Sequence, residues 1–122
     1  MIQKEKEVTS YKLACVIARV LDEKLGKDIT ILNISNVSSF ADYFVICSAP
    51  TATQVRAIAD NIEEELEEQE NIKFGHKEGY HEGEWILLDY GDVVAHIFKT
   101  ENREYYALEK LWGDAEIVKY EG

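Results

Sequence analysis

The sequence predicts a single α/β domain in which helices flank a mixed β-sheet of about five strands. Two observations support this: apolar residues make up 46% of the 122 residues, enough for one core, and helical and strand periodicities alternate along the chain. The order is helix, strand, strand, helix, then strands and a final helix. Long connections favour a parallel pair early in the chain, and a tight turn favours antiparallel pairing later.

The first helix is predicted from an apolar stripe with helical spacing that runs from Leu13 to Leu25. Thr9 or Ser10 can cap its start, because a hydroxyl there accepts a hydrogen bond from a free backbone N–H. Gly26 stands where a glycine commonly ends a helix.

Two strands and a second helix follow. Residues 28–34 are rich in β-branched side chains, and the continuously apolar residues 43–48 suit a central strand that is buried on both faces. The only proline, Pro50, interrupts the pattern before a helix that Thr51 or Thr53 can cap. The apolar stripe of this helix comprises Val55, Ile58, Ala59, Ile62 and Leu66.

A β-hairpin is the clearest signal in the second half of the chain. Residues 85–89 and 93–98 are typical strands, and the intervening Tyr-Gly-Asp is typical of a tight turn. Residues 71–84 contain glycines and predict a short strand followed by a loop.

A last helix is predicted to open at residues 100–102 and to carry an aromatic and aliphatic set: Tyr105, Tyr106, Leu108, Leu111 and Trp112. From Gly113 onward we expect a loose acidic tail, so the core of the domain spans about residues 10–117.

The net charge of −11 disfavours nucleic acids as direct partners. The chain has 24 acidic and 13 basic residues, whereas nucleic-acid affinity comes mainly from lysine and arginine that displace counterions. A basic protein would instead be attracted. The alternative is that acidity only provides solubility.

The cysteines and the terminus indicate a reducing compartment. Cys15 and Cys47 lie in apolar segments and are interpreted as small buried hydrophobic residues rather than a disulfide or a metal pair. No apolar run approaches the length of a membrane span, and no signal-type segment follows the charged start. The protein is expected to be cytoplasmic, or a mature organellar protein without its transit segment.

No metal site or cofactor is predicted. His76 and His81 lie among glutamates, but their spacing matches no common metal motif, and the nearby glycines favour a solvated loop. His96 lies within a strand and is interpreted as a half-buried histidine with a neighbouring hydrogen-bond partner, since no nucleophile accompanies it.

Asp42 is the residue that raises an enzymatic alternative. Nucleotidyltransferases place two closely spaced carboxylates after a Gly-Ser turn to hold catalytic metals. Here Ser38 and Ser39 precede Asp42, but the residue two positions later is Phe44, which cannot bind a metal. A divergent nucleotidyltransferase remains an alternative, although Asp42 better suits a strand-start hydrogen-bond acceptor.

Aromatic and acidic residues alternate around the hairpin at Trp85, Asp89, Tyr90 and Asp92. Such a mixture suits a protein-binding patch, because rings supply contact area and carboxylates supply register against a basic partner. The alternative is that these rings belong to the core. For Trp112, at the end of an amphipathic helix, a place in the core and a place in a binding patch are equally supported.

Four segments, in order, resemble the ribosomal silencing factor (Iojap-like) family: SSFADYFVI, QVRAIADNI, EGEWILLDYGDVVAHIF and REYYALEKLW. The resemblance covers about residues 13–117, and DYGDVVAHIF with YYALEKLW is its most diagnostic part. It implies a nucleotidyltransferase-like fold without catalytic residues, and therefore a binding protein rather than an enzyme. Members of the family have also been seen as dimers, so the resemblance implies that a homodimer can form.

The resemblance further implies binding to the large ribosomal subunit through its ribosomal protein number fourteen, on the face that meets the small subunit. Binding there would block subunit joining and repress translation. The acidic charge adds the expectation of little RNA contact and no DNA partner, and the lack of a long apolar run adds that of no membrane partner. Trp85 corresponds to a docking tryptophan of the family. Its neighbours on the hairpin and the final helix extend the expected partner-binding set to Asp89, Tyr90, Asp92, Tyr105, Tyr106, Leu108 and Glu109. An acidic scaffold for another basic protein remains a further alternative.

Overall fold

A computed structural model describes residues 2–24, 26–39, 41–106 and 115–118, with the side chains of residues 2–8 and 104–106 excepted. The strands form one sheet of order β3-β4-β5-β2-β1-β6, so the predicted mixed sheet flanked by helices is confirmed, with six strands rather than about five. The elements are α1 (Ile2–Glu23), β1 (Lys27–Asn33), β2 (Tyr43–Ala49), α2 (Ala52–Glu70), β3 (His76–Glu78), β4 (Trp85–Asp89), β5 (Val93–Lys99), α3 (Thr100–Tyr106) and β6 (Glu116–Val118).

The sheet contains one parallel pair, formed by β2 and β5 at its centre, and its other neighbouring strands are antiparallel. The prediction of a parallel pair early in the chain is therefore wrong for β1 and β2. β1 and β2 are joined by a short connection and pair antiparallel, whereas α2 and the strands β3 and β4 supply the long crossover that the parallel pair of β2 and β5 requires. Every residue of β2 is buried, as predicted for a central strand.

α1 and α2 pack on the same face of the sheet, which we call the helix face. α2 begins after Thr51, whose Oγ1 accepts the Gln54 backbone N–H at 3.2 Å, and its buried residues are the predicted stripe. Beneath the two helices lie aliphatic side chains of the sheet, including Val45, Ile86, Leu88 and Ile97. No helix in the described part of the chain is both long and apolar enough to cross a membrane.

α1 begins earlier than predicted, at Ile2, so Thr9 and Ser10 lie inside the helix and do not cap it. The preceding segment is rich in lysine and glutamate, which favour helix without any apolar stripe. Ser10 is buried, and its hydroxyl donates to Asp42 Oδ2 at 2.9 Å. At the other end α1 ends at Glu23, and the Gly26 N–H donates to the Leu21 carbonyl at 2.7 Å. Gly26 thus follows the helix end closely, but it does not have the positive φ of the C-cap glycine that the sequence predicted.

The predicted hairpin is confirmed: β4 and β5 pair antiparallel around Tyr90, Gly91 and Asp92. Gly91 has φ of 89°, a left-handed conformation that favours glycine.

The loose tail was predicted wrongly for Glu116–Val118, which form β6 on β1. The open edge of β1 offers backbone groups that a short strand can pair. Residues 107–114 and 119–122 lie outside the described residues, and with them Leu108, Glu109, Leu111 and Trp112.

Candidate functional site

The face of the sheet opposite α1 and α2 carries a second apolar cluster. Alternation along β4 and β5 directs the side chains of Trp85, Leu87, Val94, His96 and Phe98 to this face. Trp85 and Leu87 are half-buried, and the other three are buried. Together with two side chains of the central strand they form what we call the Trp85 face: Phe44, Ile46, Trp85, Leu87, Val94, His96 and Phe98.

Trp85 is held on this face by two neighbours on β5. Its indole stacks on Phe98, its cross-strand partner, with ring centroids 4.9 Å apart and an interplanar angle of 22°. Its Nε1 donates a hydrogen bond to His96 Nδ1 at 3.0 Å. An aromatic pair and a hydrogen bond therefore restrain the same ring, which leaves a half-buried tryptophan with a defined orientation.

His96 is 3% exposed, more buried than the sequence indicated, although its predicted neighbouring partner is found in Trp85. Burial lowers the pKa of His96 from 6.5 to about 3, and donation by the indole N–H also favours the neutral form. Because Nδ1 accepts, the proton of the neutral ring lies on Nε2. These properties suit a fixed acceptor rather than a proton-transfer group near neutral pH.

The turn of the hairpin lies at the far end of β4 from Trp85, about 13 Å away by strand spacing. Asp89 lies on the same face as Trp85 by alternation, but its Oδ1 accepts the Gly91 N–H at 2.7 Å. The Asp92 carbonyl accepts the N–H groups of Asp42 and Tyr43. Asp89 and Asp92 therefore shape the turn and anchor it to the start of β2.

Tyr90 packs against the core of the helix face, not against Trp85. Its hydroxyl is buried and has no hydrogen-bond partner among the described residues. Burial raises the pKa of Tyr90 above its usual value of 10.0, and the nearby carboxylates of Glu63 and Glu67 raise this pKa further. The structure thus separates Tyr90 from the tryptophan with which the sequence grouped it.

The other predicted partner-binding residues are not located as side chains. Tyr105 and Tyr106 belong to α3, whose first residue directly follows β5, but their side chains are not among those described. Leu108 and Glu109 lie outside the described residues. Their part in a binding surface stays a prediction.

Leu87 is a residue that sequence analysis missed. It lies between Trp85 and Asp89 on the same face, is half-buried, and packs against the apolar cluster there. The period-2 alternation of β4 was sufficient to group it with Trp85, but Leu87 is neither aromatic nor acidic and so did not match the predicted binding pattern.

Asp42 and His76, two of the candidates for catalysis or metal binding, have neighbouring side chains as partners. Asp42 accepts the Ser10 hydroxyl, and the neighbouring Phe44 is buried. His76 Nε2 lies 3.4 Å from Glu78 Oε2 at the surface. Across the described ranges, no three His, Cys, Asp or Glu side chains are grouped so that they could hold a metal ion.

The two cysteines are free, and their environments differ. Cys47 is buried, and desolvation raises the pKa of its thiol from 9.0 to about 12, so it is an inert core residue. Cys15 is half-buried in α1.

Comparison with known proteins places the whole architecture in one family. Residues 7–122 match the family model described as "Ribosomal silencing factor during starvation". The ribosomal silencing factor RsfS of Bacillus subtilis is 43% identical over 84% of this chain and 86% of its own length. RsfS of Halalkalibacterium halodurans is 39% identical over 94% of this chain and 97% of its own length.

The fold is also found in a solved structure. The crystal structure of a protein from Chromobacterium violaceum superposes with a TM-score of 0.82 at 32% identity, covering 85% of this chain and 86% of that one. Sequence and structure agree, and the chain belongs to the ribosomal silencing factor (RsfS) family.

Proposed function

We propose that this protein binds the large ribosomal subunit through its basic ribosomal protein number fourteen and thereby blocks association with the small subunit. Translation is repressed because the joined ribosome cannot form, and steric occlusion suffices without any chemical step. The observation that carries the proposal is the half-buried Trp85, restrained by Phe98 and His96 on the β4–β5 hairpin.

A restrained tryptophan is well suited to anchor a protein contact. Aromatic residues at the centre of an interface commonly dominate its binding energy. A side chain that is already ordered before binding loses less conformational entropy when the partner arrives. Leu87 lies two residues along the same strand face and can add apolar contact area.

The charge of the chain supports a protein rather than an RNA contact. At a net charge of −11 the molecule is repelled by a phosphate backbone, and a basic ribosomal protein offers the opposite sign. Repulsion from RNA also penalises incorrect docking elsewhere on a ribosome.

Trp85→Ala tests the proposal directly. We expect this variant to lose cosedimentation with purified large subunits and to stop suppressing subunit joining in a sucrose-gradient assay. Removal of a central aromatic anchor commonly weakens binding by 2 kcal/mol or more, which is about 30-fold.

Phe74→Ala is the matched control, because Phe74 is also a partly exposed aromatic residue but lies beside Lys77, a residue that contacts α2 of the helix face. The control should bind and block as the parent does. Normal binding by a folded Trp85→Ala variant would show that the Trp85 face is not the docking surface.

The remaining partner-binding residues stay proposals: Asp89, Tyr90, Asp92, Tyr105, Tyr106, Leu108 and Glu109. We likewise propose that the protein acts in the cytoplasm without a cofactor and with little RNA contact, as composition and charge favour, and that two copies can form a homodimer, as members of the family do. The regulatory role of the family fits a binding protein better than an enzyme.

A further inference from the structure

The hydrogen bond between Trp85 and His96 joins a half-buried ring to a fully buried one. The donor is Trp85 Nε1, the acceptor is His96 Nδ1, and the distance is 3.0 Å. The edge of the His96 ring meets Phe44 on β2, with centroids 4.5 Å apart and an interplanar angle of 67°. His96 is therefore fixed by the central strand pair, and it offers Trp85 an acceptor that cannot easily move.

This arrangement is not the one that would maximise core stability. With Nδ1 accepting, the His96 Nε2 carries the proton, and within the described part of the chain that buried atom has no hydrogen-bond partner. A leucine would fill similar space without burying an unpaired N–H group. The histidine therefore contributes direction to the indole rather than packing alone.

We propose that His96 is a positioning residue for docking: by accepting the indole N–H it holds Trp85 in the one orientation that presents the ring to the ribosomal partner. Phe98 supports the same orientation by stacking, but a stacked ring can still slide or rotate in its plane. The hydrogen bond supplies the missing directional restraint. This inference rests on the proposed function, since it assumes that Trp85 makes the contact.

The experiment compares His96→Leu with His96→Asn by cosedimentation with purified large subunits. Leucine removes the acceptor, whereas asparagine can place its Oδ1 near the position of Nδ1. We expect His96→Leu to weaken binding about tenfold, the effect of one neutral hydrogen bond. His96→Asn should remain within about threefold of the parent.

A second background separates positioning from general structure. In Trp85→Phe the indole N–H is absent, so adding His96→Leu should cause little further loss of affinity. An equal loss in both backgrounds would overturn the proposal, because His96 would then act by a route independent of the indole.

Nuclear magnetic resonance reports on the hydrogen bond itself. In the parent protein we expect a scalar coupling between Trp85 Nε1 and His96 Nδ1 across the hydrogen bond, and its absence would overturn the proposal. This measurement needs no variant, so its negative result overturns the proposal even if His96→Leu does not fold, and in that case the comparison of the parent with His96→Asn measures the effect on binding.

The binding results for Trp85→Ala and His96→Leu test the docking surface and the role of His96 separately. If Trp85→Ala binds normally, both the docking surface and the role of His96 fail. If Trp85→Ala abolishes binding while folded His96→Leu binds as the parent does, the proposed function stands and His96 has only a structural role.

Discussion

The two faces of the sheet use neighbouring residues of the same strands for different purposes. On the helix face, Ile86 and Leu88 of β4 are fully buried beneath the helices among other aliphatic side chains. On the Trp85 face, Trp85 and Leu87 of the same strand stay half-buried beside aromatic rings and a histidine. One strand therefore contributes to stability through its even-numbered residues and to the proposed docking surface through its odd-numbered residues.

Acidic side chains are concentrated on the exposed surface of α2. α2, which packs on the helix face, exposes acidic side chains that include Asp60, Glu64, Glu67 and Glu68. Packed layers of secondary structure lie about 10 Å apart. This spacing is comparable with the Debye length, over which salt at physiological concentration screens electrostatic interactions. These charges can influence the approach of a partner to Trp85, but they do not touch a partner bound there.

The largest expected contrast is between Leu88→Ala and Leu87→Ala, adjacent residues with the same side chain on opposite faces. Leu88→Ala should lower the free energy of unfolding by about 3 kcal/mol, because it leaves a cavity in the core. Leu87→Ala should cost about 1 kcal/mol, since part of its side chain is already exposed. Urea denaturation measures both values.

Binding of the same two variants to large subunits completes the comparison. Folded Leu88→Ala should bind as the parent does, whereas Leu87→Ala should bind more weakly. If Leu88→Ala were the variant with impaired binding, the assignment of docking to the Trp85 face would be contradicted.

An intermediate effect is expected from the pH dependence of stability. The pKa of His96 is about 3 in the folded protein against 6.5 without burial. Between these values the unfolded state binds more protons, so stability is full above pH 6.5 and falls as the pH falls. From pH 7 to pH 5 this histidine should contribute a loss of about 2 kcal/mol.

His96→Gln removes this titration and is the control for the many carboxylates that also titrate. Chemical denaturation at a series of pH values should therefore give a shallower dependence for His96→Gln than for the parent. Identical slopes would mean that His96 is protonated in the folded state or is not buried.

The smallest effect is expected for Tyr90→Phe. The Tyr90 hydroxyl is buried without a partner among the described residues, so its removal should leave the unfolding free energy unchanged or raise it by about 1 kcal/mol. Tyr90→Phe keeps the ring and removes only the buried hydroxyl, so any contact that the Tyr90 ring makes with a partner is retained and large-subunit binding should not change. A clear loss of binding would extend the docking surface from Trp85 to the turn.

Much of the fold was predictable because the signals were local. The stripe of α2 and its Thr51 cap follow from helical spacing and the chemistry of one hydroxyl. The hairpin at Gly91 follows from strand alternation and one residue with positive φ. In these segments the residues that specify the structure lie within a few positions of one another.

The errors concern contacts between distant segments. Ser10 was interpreted as a helix cap, but its hydroxyl bonds Asp42, 32 positions away. Glu116–Val118 were predicted to be loose, yet they complete the sheet beside β1. Neither partner can be identified from nearby residues, because the approach of the two segments depends on the packing of the whole sheet.

The family, the mixed α/β architecture and the choice of Trp85 as a candidate docking residue follow from the linear sequence, because motif order and periodicity are properties of the chain. The pairing of the strands in the folded protein was needed to know which residues of β5 meet Trp85 and which side chain orients it. In the observed register of β4 and β5, Phe98 and His96 meet the indole. The register of strand pairing depends on contacts between distant segments, and it is specified because one face of the sheet must be buried against the helices.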